Sequence, residues 1–394
     1  MDNSYHDSAK FEDFCLEGSR FVRPPTESPE IRAVDLFCGA GGLSLSAYLT
    51  GVSLGLNVKF QLAVDRDQAA LGVYARNLKP AFTSSEDVDM MVNFELVGAS
   101  ESAEFLYTPS LNSGHLSEVF LDGGIDLLLA GPPCQGHSNL NNHTRRDDPR
   151  NFSYISTAAL AIAADCKAVV IENVREALVA KNDPVGTSAE LFRKAGYFVQ
   201  ITTIDGSTIG MAQTRKRAFL IATKKPAPPV DLMIANMKAD PKGVLTVIKD
   251  LDSDPHDPDP FERSASSGQE TTERINYLFD NDLYELPNHM RPNCHKNGHT
   301  YGSVYGRLRP DLPSGTITQG FLTMGRGRYV HPTKRRCLTP HEAARIQGFP
   351  DYFKFRGPTG EYLTHAVLSK VIGNAVPPRL GQAPCLSAML SLIS

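Results

Sequence analysis

Cys134 is the residue of this sequence with the clearest capacity for nucleophilic chemistry. It lies in the run Gly131-Pro132-Pro133-Cys134-Gln135-Gly136, directly after an apolar segment that ends at Ala130. Open α/β sheets build their sites at the carboxyl ends of strands, and the two prolines stiffen the backbone that carries the thiol. A buried structural cysteine is the alternative, and it is the commoner role of this residue. The stiff loop beside a candidate cofactor turn favours a reactive thiol.

Glu172 is a candidate proton donor for the same chemistry. It follows the apolar run Ala168–Ile171, in the sequence Ile171-Glu172-Asn173-Val174. We expect a carboxyl group that leaves an apolar strand to be partly desolvated, which favours its protonated form. A thiolate that adds to an aromatic ring leaves negative charge on that ring, so the addition needs a proton or a hydrogen bond from a nearby acid. The alternative is an acid at a helix N-terminus or in a solvated loop.

Two arginines, Arg215 and Arg217, precede the last predicted strand of the sheet. They alternate with Lys216, so in an extended segment both face the same side. That side could bind a base carbonyl and a nearby phosphate, and it could stabilise a thiolate. A solvated basic run is the alternative.

A glycine-rich turn lies in Asp35-Leu36-Phe37-Cys38-Gly39-Ala40-Gly41-Gly42, between a predicted strand and a predicted helix. Such a turn lets a ligand approach the backbone, and a helix N-terminus attracts an anionic group. The spacing is not the Gly-x-Gly-x-x-Gly of dinucleotide-binding proteins, and no Gly-Lys-Ser/Thr is present to hold a triphosphate. Asp65 closes the next predicted strand, where an acid would accept hydrogen bonds from ribose hydroxyls. The set suits S-adenosylmethionine, an adenosyl ligand with a carboxylate, and a tight turn in any α/β protein is the alternative.

Short apolar runs that alternate with helical patterns must position these residues. Continuous apolar runs predict strands that are buried on both faces of a parallel sheet. The predicted strands are Ile31–Phe37, Phe60–Val64, Ile125–Ala130, Ala168–Ile171, Tyr197–Ile204 and Ala218–Thr223. Helices are predicted at Leu43–Leu56 and Asp67–Leu78. The alternation predicts an α/β fold with a doubly wound, Rossmann-like sheet.

A second domain is predicted because the alternation stops near Pro226, and because 394 residues exceed the ~250 to 300 at which single cores stop growing. The segment that follows is rich in Pro, Gly, Asp, Asn and His. Near its end, Thr339 and Pro340 can begin a helix. The predicted divisions are an N-terminal extension (1–30), a cofactor-binding domain (31–225), a smaller loop-rich domain (226–365) and a C-terminal segment that returns to the first domain (366–394).

Composition excludes several classes of protein. The chain is 41% hydrophobic and 21% charged, which is typical of globular proteins. No apolar run approaches the ~18 residues of a membrane span, and the polar start is no signal peptide. Seven scattered cysteines without a Cys-x-x-Cys pair argue against a disulfide framework. We therefore predict a cytoplasmic protein, associated with the nucleoid if bacterial.

The charges are segregated along the chain, although the formal net charge is only −4. Residues 325–336 carry five basic side chains and no acid, whereas residues 250–262 carry six acidic side chains and no base. The basic stretch could follow phosphates while the acidic loop points elsewhere, so the net charge argues only weakly against a nucleic-acid partner.

Taken in order, these motifs resemble those of the DNA (cytosine-5) methyltransferase family, of the bacterial restriction-modification type. Asp35–Gly42 resembles its cofactor motif, Pro132–Gly136 its nucleophile motif and Glu172–Val174 its acid motif. Further matches are Gln213–Arg217, Leu338–Pro350 and Gly373–Pro378. The resemblance implies transfer of a methyl group from S-adenosylmethionine to carbon 5 of cytosine in duplex DNA, through a covalent intermediate on Cys134.

The resemblance also implies roles around the cofactor. Phe37 and Asp87 would contact the adenine, and Asp65 would hold the ribose. Pro132 would touch the cytosine amino group, and Asn374 the methionine part of the cofactor. The cofactor-binding residues implied in this way are Phe37, Gly39, Gly41, Gly42, Asp65, Arg66, Asp87, Val88, Pro132, Asn374 and Val376.

Double-stranded DNA is the implied macromolecular partner, and the target cytosine would have to leave the base stack. The implied catalytic residues are Cys134, Glu172, Arg215 and Arg217. Residues 135–151 would form a loop that closes over DNA, and residues 226–304, which match no motif, would recognise the target. The implied DNA contacts are Gln135, Ser138, Arg150, Arg326, Arg328 and Arg335.

Three positions depart from the family pattern. His137 stands where Phe is usual, and Met211-Ala212 replaces an apolar-Pro pair before Gln213. Arg66 stands where a hydrophobic or aromatic residue often stacks on adenine, although Arg can stack too. The nearby residues His289, Cys294, His295 and His299 fit no standard zinc spacing, so no metal is predicted.

Two alternatives stay open at this point. One branch of the family methylates transfer RNA, but the long unmatched region favours a reader of duplex DNA. A catalytically silent DNA-binding member is the other alternative, and the presence of Cys134, Glu172 and Arg217 argues against it. We predict a monomer, with a restriction endonuclease of the same site as a candidate partner.

Overall fold

The computed structural model describes residues 27–112, 118–120, 124–133, 152–180, 183–296 and 304–394. Within these ranges the chain forms two compact units. The sheet unit contains the described residues up to Asp205 with Lys216–Met237 and Val376–Ser394, and the loop unit contains Gly206–Arg215 and Lys238–Ala375. The predicted boundaries at residues 225 and 365 fall earlier in the chain than these divisions, and the sequence did not indicate the excursion of residues 206–215.

Eleven strands are described, all in the sheet unit. They are β1 (Glu30–Leu36), β2 (Asn57–Val64), β3 (Phe82–Ser84), β4 (Val92–Asn93), β5 (Leu96–Val97), β6 (Glu104–Phe105), β7 (Ser110–Leu111), β8 (Leu127–Ala130), β9 (Ala168–Val174), β10 (Phe198–Asp205) and β11 (Lys216–Thr223). The helices are α1 (Gly42–Ser53), α2 (Gln68–Leu78), α3 (Phe152–Ala163), α4 (Pro184–Lys194), α5 (Val230–Asn236), α6 (Val244–Ile248), α7 (Gln269–Asp280), α8 (Pro340–Ile346), α9 (His365–Asn374) and α10 (Pro378–Ile393). None of these helices is long and apolar enough to cross a membrane.

Seven of the strands form one twisted sheet in the order β10-β11-β9-β8-β1-β2-β3. Neighbours are parallel except for β11, which is antiparallel to both β9 and β10. The strand order reverses between β1 and β8, so a crevice opens at their carboxyl ends, where doubly wound sheets bind ligands. The predicted doubly wound α/β fold is confirmed.

The core of the sheet unit consists of the apolar runs that predicted the strands. Every residue of β8 is buried, and the side chains of Val34, Leu62, Leu128 and Val169 are inaccessible to solvent. Burial on both faces explains why these runs show no apolar–polar alternation.

The C-terminal apolar segment Val367–Leu392 contains two helices. Pro377 and Pro378 separate α9 from α10, because proline lacks the N–H that a continuous helix would need. Helix α10 packs on α1 in the sheet unit, where Ser46 Oγ donates to Pro378 O over 2.7 Å. A Cβ atom on Gly381 would lie 2.4 Å from Ser46 Oγ, so this contact requires glycine.

Two small antiparallel pairs, β4 with β7 and β5 with β6, lie between β3 and β8 in the chain. Phe94 anchors them by stacking on Phe152, with ring centroids 5.1 Å apart. Strands of two residues are too short to show a periodicity, which explains why the sequence does not predict them.

The loop unit is built from short helices and isolated bridges around a small core. Its core includes Ile275, Leu278, Met324 and Val330, all buried. Thr339 is the N-cap of helix α8: its hydroxyl accepts from Glu342 N, and the Glu342 carboxylate accepts from Thr339 N. This capping box confirms the predicted helix start.

Candidate active site

Three motifs meet at the carboxyl edge of the sheet. Leu36 pairs with Ala130, and Ala130 pairs with Ile171, so β1, β8 and β9 end side by side. Gly131 N donates to Leu36 O over 3.1 Å. A Cβ atom on Gly131 would lie 3.5 Å from the Phe37 carbonyl oxygen and 3.9 Å from Glu172 Oε2. The cofactor turn, the start of the Pro-Pro-Cys segment and the candidate acid therefore lie together.

Glu172 lies beside Arg217. Arg217 Nε is 2.8 Å from Glu172 Oε1, and the two side chains are 14% and 9% exposed. Oε1 nevertheless has no hydrogen-bond donor among the described residues, because the Nε–H is not directed at it. The two groups thus form an ion pair in a largely buried position, and Oε1 accepts no hydrogen bond from the described residues.

Asn173 contacts the segment that precedes Cys134. Its side-chain Nδ2 donates to Pro132 O over 3.4 Å, and its Oδ1 accepts from Val174 N over 2.7 Å. The residue is buried, so its amide orientation is fixed by these two partners. No role was predicted for Asn173 from the sequence, although an amide directly after the candidate acid was the available signal.

Arg215 and Arg217 lie in different surroundings. Arg215 is buried in the loop unit, where Nη1 donates to Ile317 O over 3.1 Å and to Gly373 O over 3.4 Å. Strand β11 begins only at Lys216, so the extended segment assumed for both arginines does not include Arg215. Arg215 thus donates to backbone carbonyl groups of the loop unit, whereas Arg217 lies beside the candidate acid Glu172.

The cofactor turn depends on unusual backbone conformations. Gly39 and Gly41 have φ of 53° and 92°, in the left-handed region that favours glycine. A Cβ atom on Gly41 would lie 2.5 Å from Leu78 Cδ1 and 2.8 Å from Tyr74 Cδ2, whereas one on Gly39 would meet no atom of the described residues within 4 Å. Gly41 is therefore fixed by packing, and the space beside Gly39 is open to a ligand.

Asp65 supports the turn from the end of β2. Its Oδ2 accepts from Gly39 N over 2.8 Å, and its Oδ1 accepts from Asp67 N over 2.8 Å. A carboxylate has about four acceptor positions, so these bonds are compatible with further bonds to ribose hydroxyls. Together with the N-terminus of α1 at Gly42, the residues present fit an adenosyl ligand that carries a carboxylate.

The candidate adenine residues are arranged around Asp87. Arg66 Nη1 lies 3.1 Å from Asp87 Oδ2, and Asp87 Oδ1 accepts from Asp89 N over 3.2 Å. Val88 is buried in the core. Arg66, which departs from the family pattern, thus pairs with the acid expected to bind adenine.

Asn374 and Val376 fall in different units. Asn374 ends α9 in the loop unit, and its Oδ1 accepts from Gln319 Nε2 over 2.7 Å. Val376 is half-buried and belongs to the sheet unit. Gln319 was not predicted as a site residue, because only the folded chain brings it to Asn374.

The predicted DNA contacts differ in their surroundings. Arg326 is exposed. Arg328 Nη2 lies 2.7 Å from Glu285 Oε1, and Arg335 Nη2 lies 2.6 Å from Asp280 Oδ1. Cys134, Gln135, Ser138 and Arg150 lie outside the described residues.

The acidic stretch 250–262 packs against basic side chains of the loop unit. Asp250 pairs with Arg345, Asp252 with Lys334, Asp259 with Arg356 and Glu262 with His341. Within the described ranges, no group of three His, Cys, Asp or Glu side chains is arranged to hold a metal ion.

A doubly wound sheet with an antiparallel edge hairpin, a glycine turn at its switch point and a buried acid beside it defines the class of S-adenosylmethionine-dependent methyltransferases. A family model for C-5 cytosine-specific DNA methylases matches residues 31–385, and the chain belongs to this family. It is a DNA (cytosine-5) methyltransferase that uses S-adenosylmethionine. The RNA alternative is not favoured, because the matched family acts on DNA.

Among curated proteins, the chain is 38% identical to "Type II methyltransferase M1.BsuMI" of Bacillus subtilis (strain 168), over 91% of this chain and 81% of that protein. It is 25% identical to "Type II methylase M.HgiDII" of Herpetosiphon aurantiacus, over 89% and 92% of the two chains. It is also 25% identical to "DNA (cytosine-5)-methyltransferase 3" of Arabidopsis thaliana, covering 93% of this chain and 31% of that one.

Solved structures show the same fold. A putative DNA modification methyltransferase encoded within an E. coli prophage superposes with a TM-score of 0.59 at 23% identity, over 92% of this chain and 100% of that one. Dnmt2 of S. pombe superposes with a TM-score of 0.60 at 14% identity, over 92% and 98% of the chains.

Proposed function

We propose that this chain methylates carbon 5 of a cytosine that is flipped out of a specific duplex DNA sequence, with Cys134 as nucleophile and Glu172 as acid. Membership of the family gives the reaction, the DNA substrate and S-adenosylmethionine as the methyl donor. The roles of individual residues, the flipping of the base and the recognition of one sequence are the proposal.

The observation that carries the proposal is the position of the Glu172 carboxyl group. Its Oε2 faces Gly131, three residues before Cys134 in the chain, and its Oε1 is buried without a hydrogen-bond donor among the described residues. A carboxyl group in this position can donate to a base that enters beside the Pro-Pro-Cys segment. Arg217 holds the same group from the neighbouring strand.

In the proposed reaction, the Cys134 thiolate adds to carbon 6 of cytosine, and Glu172 donates to N3. This donation prevents negative charge from accumulating on the ring. S-adenosylmethionine, when bound, supplies the methyl group that carbon 5 takes up. Water then takes the proton from carbon 5, the electrons of that bond expel the Cys134 thiolate, and N3 returns its proton to Glu172, which restores the aromatic ring.

The cofactor is proposed to lie against the turn at Gly39, with Asp65 at the ribose and Asp87 at the adenine. Three findings support this placement: the open space beside Gly39, the two Asp65 hydrogen bonds and the switch point between β1 and β8. Asn374 is proposed for the methionine part, oriented by Gln319.

The biological setting is proposed from the relatives. Because M1.BsuMI and M.HgiDII carry the Type II designation, we infer that this chain protects the site of a restriction endonuclease. A monomer in the cytoplasm suffices for this role, because one chain carries all the motifs. Arg326, Arg328 and Arg335 are proposed to hold the DNA backbone together with Gln135, Ser138 and Arg150.

A duplex containing 5-fluorocytosine tests the nucleophile, because fluorine at carbon 5 blocks the elimination step and traps the covalent adduct. The wild-type protein with S-adenosylmethionine is expected to form an adduct that survives denaturation, whereas Cys134→Ala forms none but still binds DNA and cofactor. Cys166→Ala, which changes a buried thiol of the sheet unit, is the matched control and retains the adduct. An adduct in Cys134→Ala, or no adduct in the wild type, would overturn the proposal.

A further inference from the structure

A chain of three buried polar side chains lies behind the cofactor turn. Ser44 Oγ donates to Asp35 Oδ2 over 2.6 Å, and the hydroxyl groups of Ser44 and Tyr74 lie 2.7 Å apart. The three residues are 1%, 0% and 0% exposed for Asp35, Ser44 and Tyr74. These residues belong to β1, α1 and α2. Their hydrogen bonds therefore connect the two elements on either side of the turn to the helix that follows Asp65.

This network contacts the turn directly. The Tyr74 ring packs against Gly41, where a Cβ atom would lie 2.8 Å from Tyr74 Cδ2. Gly41 is also the N-cap residue of α1 and makes no side-chain hydrogen bond to that helix end. A change in the position or charge of Asp35 is therefore transmitted to the backbone that is proposed to hold the cofactor.

Asp35 is a carboxyl group in an unusual electrostatic position. Its Oδ1 has no hydrogen-bond donor within the described part of the chain. Burial raises the pKa of Asp35, the hydrogen bond from Ser44 opposes this, and the negative charge of Asp65 adds to it, so that the pKa is about 7. Asp35 is thus divided between its two protonation states near neutral pH.

The titratable groups that face Asp35 come from four elements. They are Asp65 after β2, Cys38 in the turn, Tyr74 in α2 and Cys385 in α10. Burial raises the pKa of both thiols and of the Tyr74 phenol, so these three groups are neutral at pH 7. Asp65 is then the charged neighbour, and its negative charge favours protonated Asp35.

We propose that Asp35 is a positioning residue that responds to the positive charge of the cofactor: it binds a proton when the cofactor is absent and releases it to solvent when S-adenosylmethionine binds. This inference rests on the proposed function. At neutral pH the methyl donor carries a sulfonium, an ammonium and a carboxylate, whereas the product S-adenosylhomocysteine lacks the sulfonium charge. A nearby positive charge favours the ionised carboxyl group, so Asp35 discriminates between donor and product.

Calorimetric titration in two buffers of different ionisation enthalpy measures the released proton. At pH 7, S-adenosylmethionine is expected to release about half a proton more from the wild type than from Asp35→Asn, because a group whose pKa equals the pH is half protonated. The same comparison with S-adenosylhomocysteine should give a smaller difference. Equal release by wild type and Asp35→Asn would overturn the inference.

The pH dependence of affinity gives a second measurement. The affinity of the wild type for S-adenosylmethionine should rise about tenfold from pH 6 to pH 8, beyond any rise that Asp35→Asn shows over the same range. Asp126→Asn is the matched control, because Asp126 lies just before β8 and accepts from Arg32 N and Lys167 Nζ. It should retain the wild-type dependence, and loss of the dependence in this control would overturn the assignment to Asp35.

The variant Ser44→Ala distinguishes proton binding by Asp35 from a purely structural role of that residue. Without the Ser44 hydrogen bond the pKa of Asp35 rises further, so the midpoint of the pH dependence should move upward. An unchanged midpoint would overturn the network even if Asp35→Asn failed to fold. The 5-fluorocytosine adduct tests the proposed function separately. If the adduct forms but the wild type and Asp35→Asn release equal numbers of protons, the proposed function stands and only the inference about Asp35 is overturned.

Discussion

Arg217 Nε lies 2.8 Å from Glu172 Oε1, across two antiparallel strands at the carboxyl edge of the sheet. Glu172 is paired in register with Phe219, two residues from Arg217, so the ion pair is a diagonal contact on one face. This geometry places a cation next to the proposed acid without directing its Nε–H at the carboxyl oxygen. The acid is held in place but is not saturated by hydrogen bonds.

Replacement of Glu172 by Gln should reduce the single-turnover methylation rate by about 10²- to 10⁴-fold, the range that a general acid contributes. Affinities for DNA and S-adenosylmethionine should change little, because Gln keeps the shape of the side chain. Rapid-quench transfer of a labelled methyl group measures the rate. Glu104→Gln, an exposed change in the same unit, should behave as the wild type, and near-normal turnover of Glu172→Gln would remove Glu172 from the acid role.

Glu342 is the centre of a buried polar cluster in the loop unit. It is fully buried, and its carboxylate accepts from Arg336 Nη2 over 2.6 Å, from Arg336 Nη1 over 2.8 Å and from Thr339 N over 2.9 Å. His331 Nδ1 accepts from the Thr333 and Lys334 amides, so His331 Nε2 carries the proton and faces Glu342 Oε1 at 3.4 Å. Burial alone would raise the pKa of Glu342, but Arg336 and His331 lower it to about 2.

Glu342→Gln should lower the free energy of unfolding by about 3 kcal/mol, because it leaves the Arg336 charge without its partner in a poorly solvated site. The contribution of the ionised carboxylate is complete above its ordinary pKa of 4.5 and is lost as the pH falls towards 2. Urea unfolding from pH 7 to pH 2.5 should therefore show the two proteins converging in acid. Glu273→Gln, an exposed change on α7, is the control, and a constant difference at all pH values would contradict this account.

The sequence predicted the parts of this molecule that depend on local pattern. The runs around Val34, Leu128 and Val170 are short and apolar on both faces, and their alternation with helical patterns predicted strands of a covered parallel sheet. The start of α8 was predictable because Thr339, Pro340 and Glu342 are neighbours in sequence.

The sequence could not predict contacts that depend on register between distant segments. The ion pair of Arg217 with Glu172 requires β11 to run antiparallel to β9, a direction that periodicity does not encode. The separation of Arg215 from Arg217 likewise depends on where β11 begins. The bond between Gln319 and Asn374 joins residues 55 positions apart, so it appears only once the loop unit is folded.

We expect the protein to lose stability at alkaline pH because His341 loses its proton. Its Nδ1 lies 2.8 Å from Glu262 Oε2, and its Nε2 lies 3.1 Å from Asp351 Oδ1. Burial alone would lower its pKa, but the bonds to Asp351 and Glu262 and their charges raise it to about 9. Because this pKa exceeds the ordinary value of 6.5, the stabilisation is complete below pH 6.5 and is lost as the pH rises through 9. The melting temperature of the wild type should approach that of His341→Gln between pH 7 and pH 9.5, and parallel curves would exclude the charged imidazole as the cause.

Arg326 is the proposed DNA contact whose role is easiest to separate from folding. It is exposed, whereas Arg328 pairs with Glu285 and donates to Tyr284 O over 2.9 Å. Arg326→Ala should therefore weaken duplex binding without changing the melting temperature, and it should reduce the slope of log K against log salt by about 1. Arg328→Ala should lower the melting temperature, because it removes bonds within the loop unit. Fluorescence anisotropy of a labelled duplex between 50 and 300 mM salt measures the slope, and an unchanged slope in Arg326→Ala would show that this guanidinium does not contact a phosphate.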